Sequence, residues 1–312
     1  MNEKELEMII ACLPKGRTFF HYFPGRYALM LLEWHVKWGR PIHEVRRSPF
    51  ARLLKTKAVA PVLSQCGGGL LSRSALQSVW PEWGECYLLS VAKWGSQRRS
   101  WQWKQNTRRG FNLVLQLNFS MKHNRSYFEL LKPEMDPTSC GHPNASRRKT
   151  LAWARIDVEP ADGEALIEEI QTDWIKYSRE TEAFVRSSRN AEEARRRLSW
   201  EFGDESSDPK RFRHYMQDVL RPHVKMWSEA MLSAALWFIR EEMGICRIFY
   251  HTFETGRWLK GIDWTPPPRS LYTDLPSRFC FQETANPPSF VMNRRRWSYE
   301  ELEKLRFYVL EL

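Results

Sequence analysis

The stretch Leu151-Ala152-Trp153-Ala154-Arg155-Ile156-Asp157-Val158-Glu159-Pro160-Ala161-Asp162-Gly163-Glu164-Ala165-Leu166-Ile167-Glu168-Glu169-Ile170-Gln171-Thr172-Asp173-Trp174 decides how this 312-residue chain is read. Two alternating apolar runs flank Pro160-Ala161-Asp162-Gly163, the pattern of a β-hairpin closed by an Asp-Gly turn. Because strand side chains alternate, Leu151, Trp153, Arg155 and Asp157 are expected on one face of the first strand. Ile167, Glu169, Gln171 and Asp173 are expected together on the second. An arginine, carboxylates and an amide within a half-buried hairpin are costly to desolvate unless paired or used. Asp162, Glu164 and Glu168 read as solvent-facing. Arg155 and Glu169 fit that reading less well, since Trp153 and Ile167 share their faces.

Outward from the hairpin, Phe111 to Ser120 is a third β run, with Leu113, Leu115, Leu117 and Phe119 on one side and Asn112, Val114, Gln116 and Asn118 on the other. Lys122 to Arg148 reads as a long loop with one short helix near Tyr127 to Leu131. After the hairpin come helix-rich residues, then a long helix over Arg211 to Met243 that Pro222 should interrupt and Gly244 should cap. A strand over Ile245 to Phe253 follows, then a short helical piece carrying Tyr272, a strand starting at Phe279, and a helix opened by the capping box Ser298 to Glu301. Residues 1–84 read as mostly helical. The expected class is α+β: a helical N-terminal part over 1–84, then a mixed, mainly antiparallel sheet with a long packed helix over 85–312, and a helical insertion at about 175–222.

The net charge of +11 and pI near 9.4 favour a polyanionic partner, DNA or RNA above all. Arg98, Arg99, Trp101, Trp103, Lys104, Arg108 and Arg109 interleave cations with rings, the composition of a strip that tracks phosphates and stacks bases; a polar hairpin loop with Trp anchors is equally compatible. Arg294, Arg295 and Arg296 beside Trp297 form a second such cluster. Arg46, Arg47, Arg52, Lys55 and Lys57 form a third, readable as a DNA-binding helical module or as a solvated basic face. A protein partner is compatible with either reading. The six cysteines are scattered without a C-x-x-C pair, as expected of reduced thiols. No apolar run is long enough to span a membrane and the first residues lack the order of a signal peptide, so a cytoplasmic protein without a membrane partner is expected.

The run Glu168-Glu169-Ile170-Gln171-Thr172-Asp173-Trp174 resembles the E-E-I-Q-S-D-W segment of very large phage and mobile-element polyvalent proteins, with Thr172 in place of the serine. Leu151 to Arg155, Trp227, Thr255-Gly256 and Tyr272 before Leu275-Pro276 follow the same order. This resemblance spans roughly Thr107 to Thr284 and implies a mobile-element context rather than a reaction. Two chemistries fit the residues. Asp157 followed by Glu169-Ile170-Gln171 has the shape of a PD-(D/E)xK nuclease core, in which Asp157 and Glu169 would hold Mg2+, which would activate water against a phosphodiester. The order of elements is also similar to that of GNAT-type acyltransferases. That likeness implies acyl-CoA as substrate, Tyr272 as the acid that protonates the leaving thiolate, and Glu169 as a base. Arg221-Pro222-His223-Val224-Lys225, before the long helix, lacks that family's glycines. A non-catalytic adaptor binding nucleic acid or protein is the third expectation.

Overall fold

In the computed structural model the described residues are 1–13, 18–67, 69–96, 105–133, 149–203, 208–261, 267–292 and 298–312. An eight-stranded mixed sheet runs in the order β1-β4-β5-β6-β7-β8-β10-β9. Its strands are β1 (Thr18–Tyr22), β4 (Glu85–Gly95), β5 (Phe111–Asn118), β6 (Thr150–Glu159), β7 (Glu164–Gln171), β8 (Arg247–His251), β9 (Gln282–Thr284) and β10 (Phe307–Glu311). The short β2 (Arg40–Pro41) and β3 (Leu70–Leu71) pair apart from it. The expected α+β class holds. β1, inside the part read as helical, adds an edge strand by pairing with β4.

The hairpin forms where its turn chemistry places it. Gly163 adopts φ +64°, a left-handed conformation that glycine reaches without strain. The turn closes with Gly163 N–H donating to the Pro160 carbonyl at 3.2 Å. β6 and β7 pair antiparallel, with Arg155 opposite Glu169 but Ile156 opposite Ile167. Glu168 is therefore the extra residue of a β-bulge. This overturns the simple alternation: Ile167 faces the main core with Ile156, while Glu168 and Glu169 both belong to the opposite side. A second irregularity, at Leu117/Asn118, sends Leu151 to the core side rather than beside Trp153.

The core side carries Leu113, Leu115, Ala154, Ile156, Ile167 and Ile248, all fully buried, and β5, β6 and β7 pack on the long helix. Burying each such large apolar chain contributes about 1.5–3 kcal/mol. The helices between β7 and β8 are α1 (Asp173–Ser187), α2 (Ala191–Phe202) and α3 (residues 209–242). α3 is not broken at Pro222. A π-helical segment at Tyr215–Leu220 precedes Pro222, which sits in the first turn of the regular helix Arg221–Trp237. The wider turn absorbs the hydrogen bond that proline cannot donate. Met121–Leu131 is a helix of eleven residues, longer than the short piece expected. No helix among the described residues is long and apolar enough to cross a membrane. Cys12, Cys66, Cys86, Cys246 and Cys280 are free thiols.

A cleft where two parallel strands part

β7 and β8 are parallel, and pair only from Glu164/Arg247 to Ile167/Tyr250. Beyond that point β7 runs on to Gln171 without a ladder partner on that side among the described residues. The freed Glu168 carbonyl accepts instead from Lys260 Nζ at 3.0 Å. Lys260 ends the helix Phe253–Lys260 that follows β8 and is 3% exposed. A cleft of about 710 Å³ opens at this parting, within the range of small-molecule sites. Trp94, Trp153 and Glu169 line it from one face of the sheet, and Ile170 and Trp227 from the other. A gap in the sheet is what lets both faces contribute.

Charge is organised around the bulge. Arg155, 1% exposed at its side chain, donates from Nε to Glu169 at 3.1 Å and from NH1 to the Asn106 amide oxygen at 2.6 Å. Lys260 Nζ lies 3.2 Å from the same Glu169 carboxylate. Burial alone would raise the Glu169 carboxyl; the Arg155 and Lys260 charges override it and hold it at about 2. The carboxylate expected as a base is thus engaged by two cations. Glu168, expected to face solvent, is fully buried and accepts from the Thr107 N–H at 3.0 Å and the Thr107 hydroxyl at 2.6 Å. His251 Nε2 lies 3.2 Å from it, and its carboxyl too stands at about 2: burial pushes it up, while His251 and then Lys260 and Arg155 bring it down. Thr107, His251 and Lys260 were invisible to sequence reasoning because their partners lie far along the chain.

Tyr272 lines the cleft between a 3-10 turn at Arg269–Leu271 and the helix Asp274–Arg278. It is 2% exposed and its hydroxyl has no hydrogen-bond partner among the described residues. Burial, with the Tyr250 and Glu169 charges adding to it, pushes the phenol well above its ordinary range, so it stays protonated. Gln171 also lines the cleft and donates to Asp173 at 2.8 Å. Arg155, Glu169, Gln171 and Tyr272 thus come together.

Asp157 does not join them. It is fully buried, gripped by Arg108 through Nε at 2.9 Å and NH2 at 2.7 Å, and lies 3.3 Å from the Met1 amine. Arg108 also pairs with Glu159 at 2.7 Å, so it is committed inside the protein rather than offered to phosphates. Asp157 and Glu169 share no partner, and each is already neutralised by cations. This donor set does not fit Mg2+, which needs carboxylates free to face one ion. Among the described residues no group of three His, Cys, Asp or Glu is placed to hold a metal. Arg109 is exposed. Arg98, Arg99, Trp101, Trp103, Lys104, Arg294, Arg295 and Arg296 lie outside the described residues, as does Cys140. No family model, curated protein or solved structure matches the chain.

Proposed function

We propose that the chain is an acyltransferase of GNAT-like character, binding an acyl thioester such as acyl-CoA in the cleft between β7 and β8. The observation that carries this reading is the parting of one parallel strand pair beside the long helix, with an unpartnered tyrosine hydroxyl at the gap. The link to acyl transfer is an analogy of architecture; the roles come from the residues. The helix leaving β7 is α1, not the region around Pro222, so the missing glycines there bear on no phosphate site. Lys176 and Arg179 are exposed on the first two turns of α1 and line the cleft, where they would meet the donor's phosphates. An acceptor amine forms the new C–N bond as the C–S bond breaks. Tyr272 gives its proton to the departing sulfur, and the amine's proton replaces it. Arg155 and Lys260 supply the positive charge that tempers the transient phenolate.

Calorimetric titration with acetyl-CoA and thiol release with a panel of primary amines test this reading. Tyr272→Phe should bind the donor as wild type does, while thiol release falls by about 10²- to 10⁴-fold. Absence of donor binding, or unchanged turnover in Tyr272→Phe, would refute it.

A further inference from the structure

The basic cluster near the N-terminus is not absorbed by the cleft. From Lys37 to Lys57 the chain carries seven Lys or Arg (Lys37, Arg40, Arg46, Arg47, Arg52, Lys55, Lys57) against one acidic residue, Glu44. This segment therefore supplies +6 of the net +11. It folds as successive short turns over a buried floor of Val45, Phe50, Leu53 and Leu54. The His35 ring lies 4.6 Å from the Phe50 ring and ties these turns to the helix Arg26–Val36, whose last turn leads into Trp38. Arg40 bonds His35 and Arg52 bonds Ser277. Lys37, Arg46, Arg47, Lys55 and Lys57 are exposed and have no acidic partner among the described residues. Trp38 is 92% exposed.

Five exposed cations on one short segment that also carries an exposed indole ring are what a phosphate backbone with unstacked bases would engage. The lobe's short helices bury Val45, Leu53, Leu54 and Val62, unlike an interfacial helix that presents such residues to a bilayer. We infer that this lobe is a binding surface for single-stranded nucleic acid, the cations tracking phosphates and Trp38 stacking on a base. The inference stands apart from the acyltransferase reading and can survive its loss.

The test is fluorescence anisotropy of a labelled oligothymidine with the full chain across a potassium chloride series. Removing two phosphate contacts in Arg46→Gln/Arg47→Gln should flatten the slope of log K against log salt by about 1.4. Trp38→Ala should weaken the single strand by about five-fold or more, and a duplex of equal length less. Arg195→Gln/Arg196→Gln, on α2, should leave the slope as it is. Circular dichroism checks that each variant is folded, as expected for exposed positions. The inference is overturned if no salt-dependent binding is found, if the two arginine doubles flatten the slope equally, or if phosphatidylserine vesicles bind through the lobe while the oligonucleotide does not.

Discussion

Asp157 and Glu169 stand on one face of one hairpin, each against an arginine, and they end in opposite conditions. Over Asp157 the segment carrying Arg108 closes completely, and burial, outweighing Arg108 and the Met1 amine, holds the carboxyl above its ordinary value. At Glu169 the sheet comes apart, two cations converge, and the carboxyl is held at about 2. What lies over a charge, not the charge itself, separates a sealed structural ion pair from the wall of a cleft.

The largest effect expected from breaking this contrast is on stability. Arg155→Met leaves Glu169 with Lys260 alone, strands the Asn106 oxygen, and should cost about 3–5 kcal/mol in urea unfolding at neutral pH. Arg108→Met should cost less, and its loss should shrink as pH falls, because Asp157 can neutralise itself by taking a proton. Equal costs with equal pH dependence would erase the distinction. Next comes Glu169→Gln. A depressed carboxyl stabilises the fold above its unfolded value of about 4.3, so the gap to wild type should be on the order of 2–3 kcal/mol at pH 7 and close as pH falls towards 2. Asp157→Asn should move the other way. A raised carboxyl opposes folding while ionised, so wild type gains on that variant as acid relieves it. Melting curves across pH give both signs.

Lys260→Met should cost about 1–3 kcal/mol by leaving the Glu168 carbonyl unsatisfied. An unchanged melting temperature would mean that the lysine does not fill the place of the missing ladder bonds. The smallest effect on stability is Tyr272→Phe, expected within about 0.5 kcal/mol of wild type because the hydroxyl has no partner to lose. A large loss there would place Tyr272 in the framework instead.

The hairpin, its Asp162-Gly163 turn, the alternating β5 and the capping box at Ser298 were legible because each is written in neighbouring residues. Arg155, Glu169 and Gln171 were singled out from the hairpin itself, whereas Tyr272, some hundred residues on, entered only through the likeness to acyltransferases. The bulge was not legible: counting by twos cannot see one additional residue, so Glu168 was assigned to solvent and Ile167 to the wrong side. Nor was β1, whose T-F-F-H-Y is too short to show a period. Pro222 misled because its cost depends on the π-helical turn before it, which no local pattern announces. Asp157 looked like a metal ligand because its distant partners, Arg108 and the Met1 amine, are chosen by the fold.

The joint between β7 and β8 also bears on how the molecule comes into being on the ribosome. Glu168 and His251, which meet beside that joint, are 83 residues apart. β4 to β7 can assemble as each is synthesised, since β5, β6 and β7 each pair with the strand before. For as long as it takes to translate the helices that follow, β7 is an unfinished border, open to any strand that arrives. The same short parallel seam that leaves room for a ligand in the finished protein is thus one that must wait for distant chain, and a place where a nascent chain is exposed to joining the wrong neighbour.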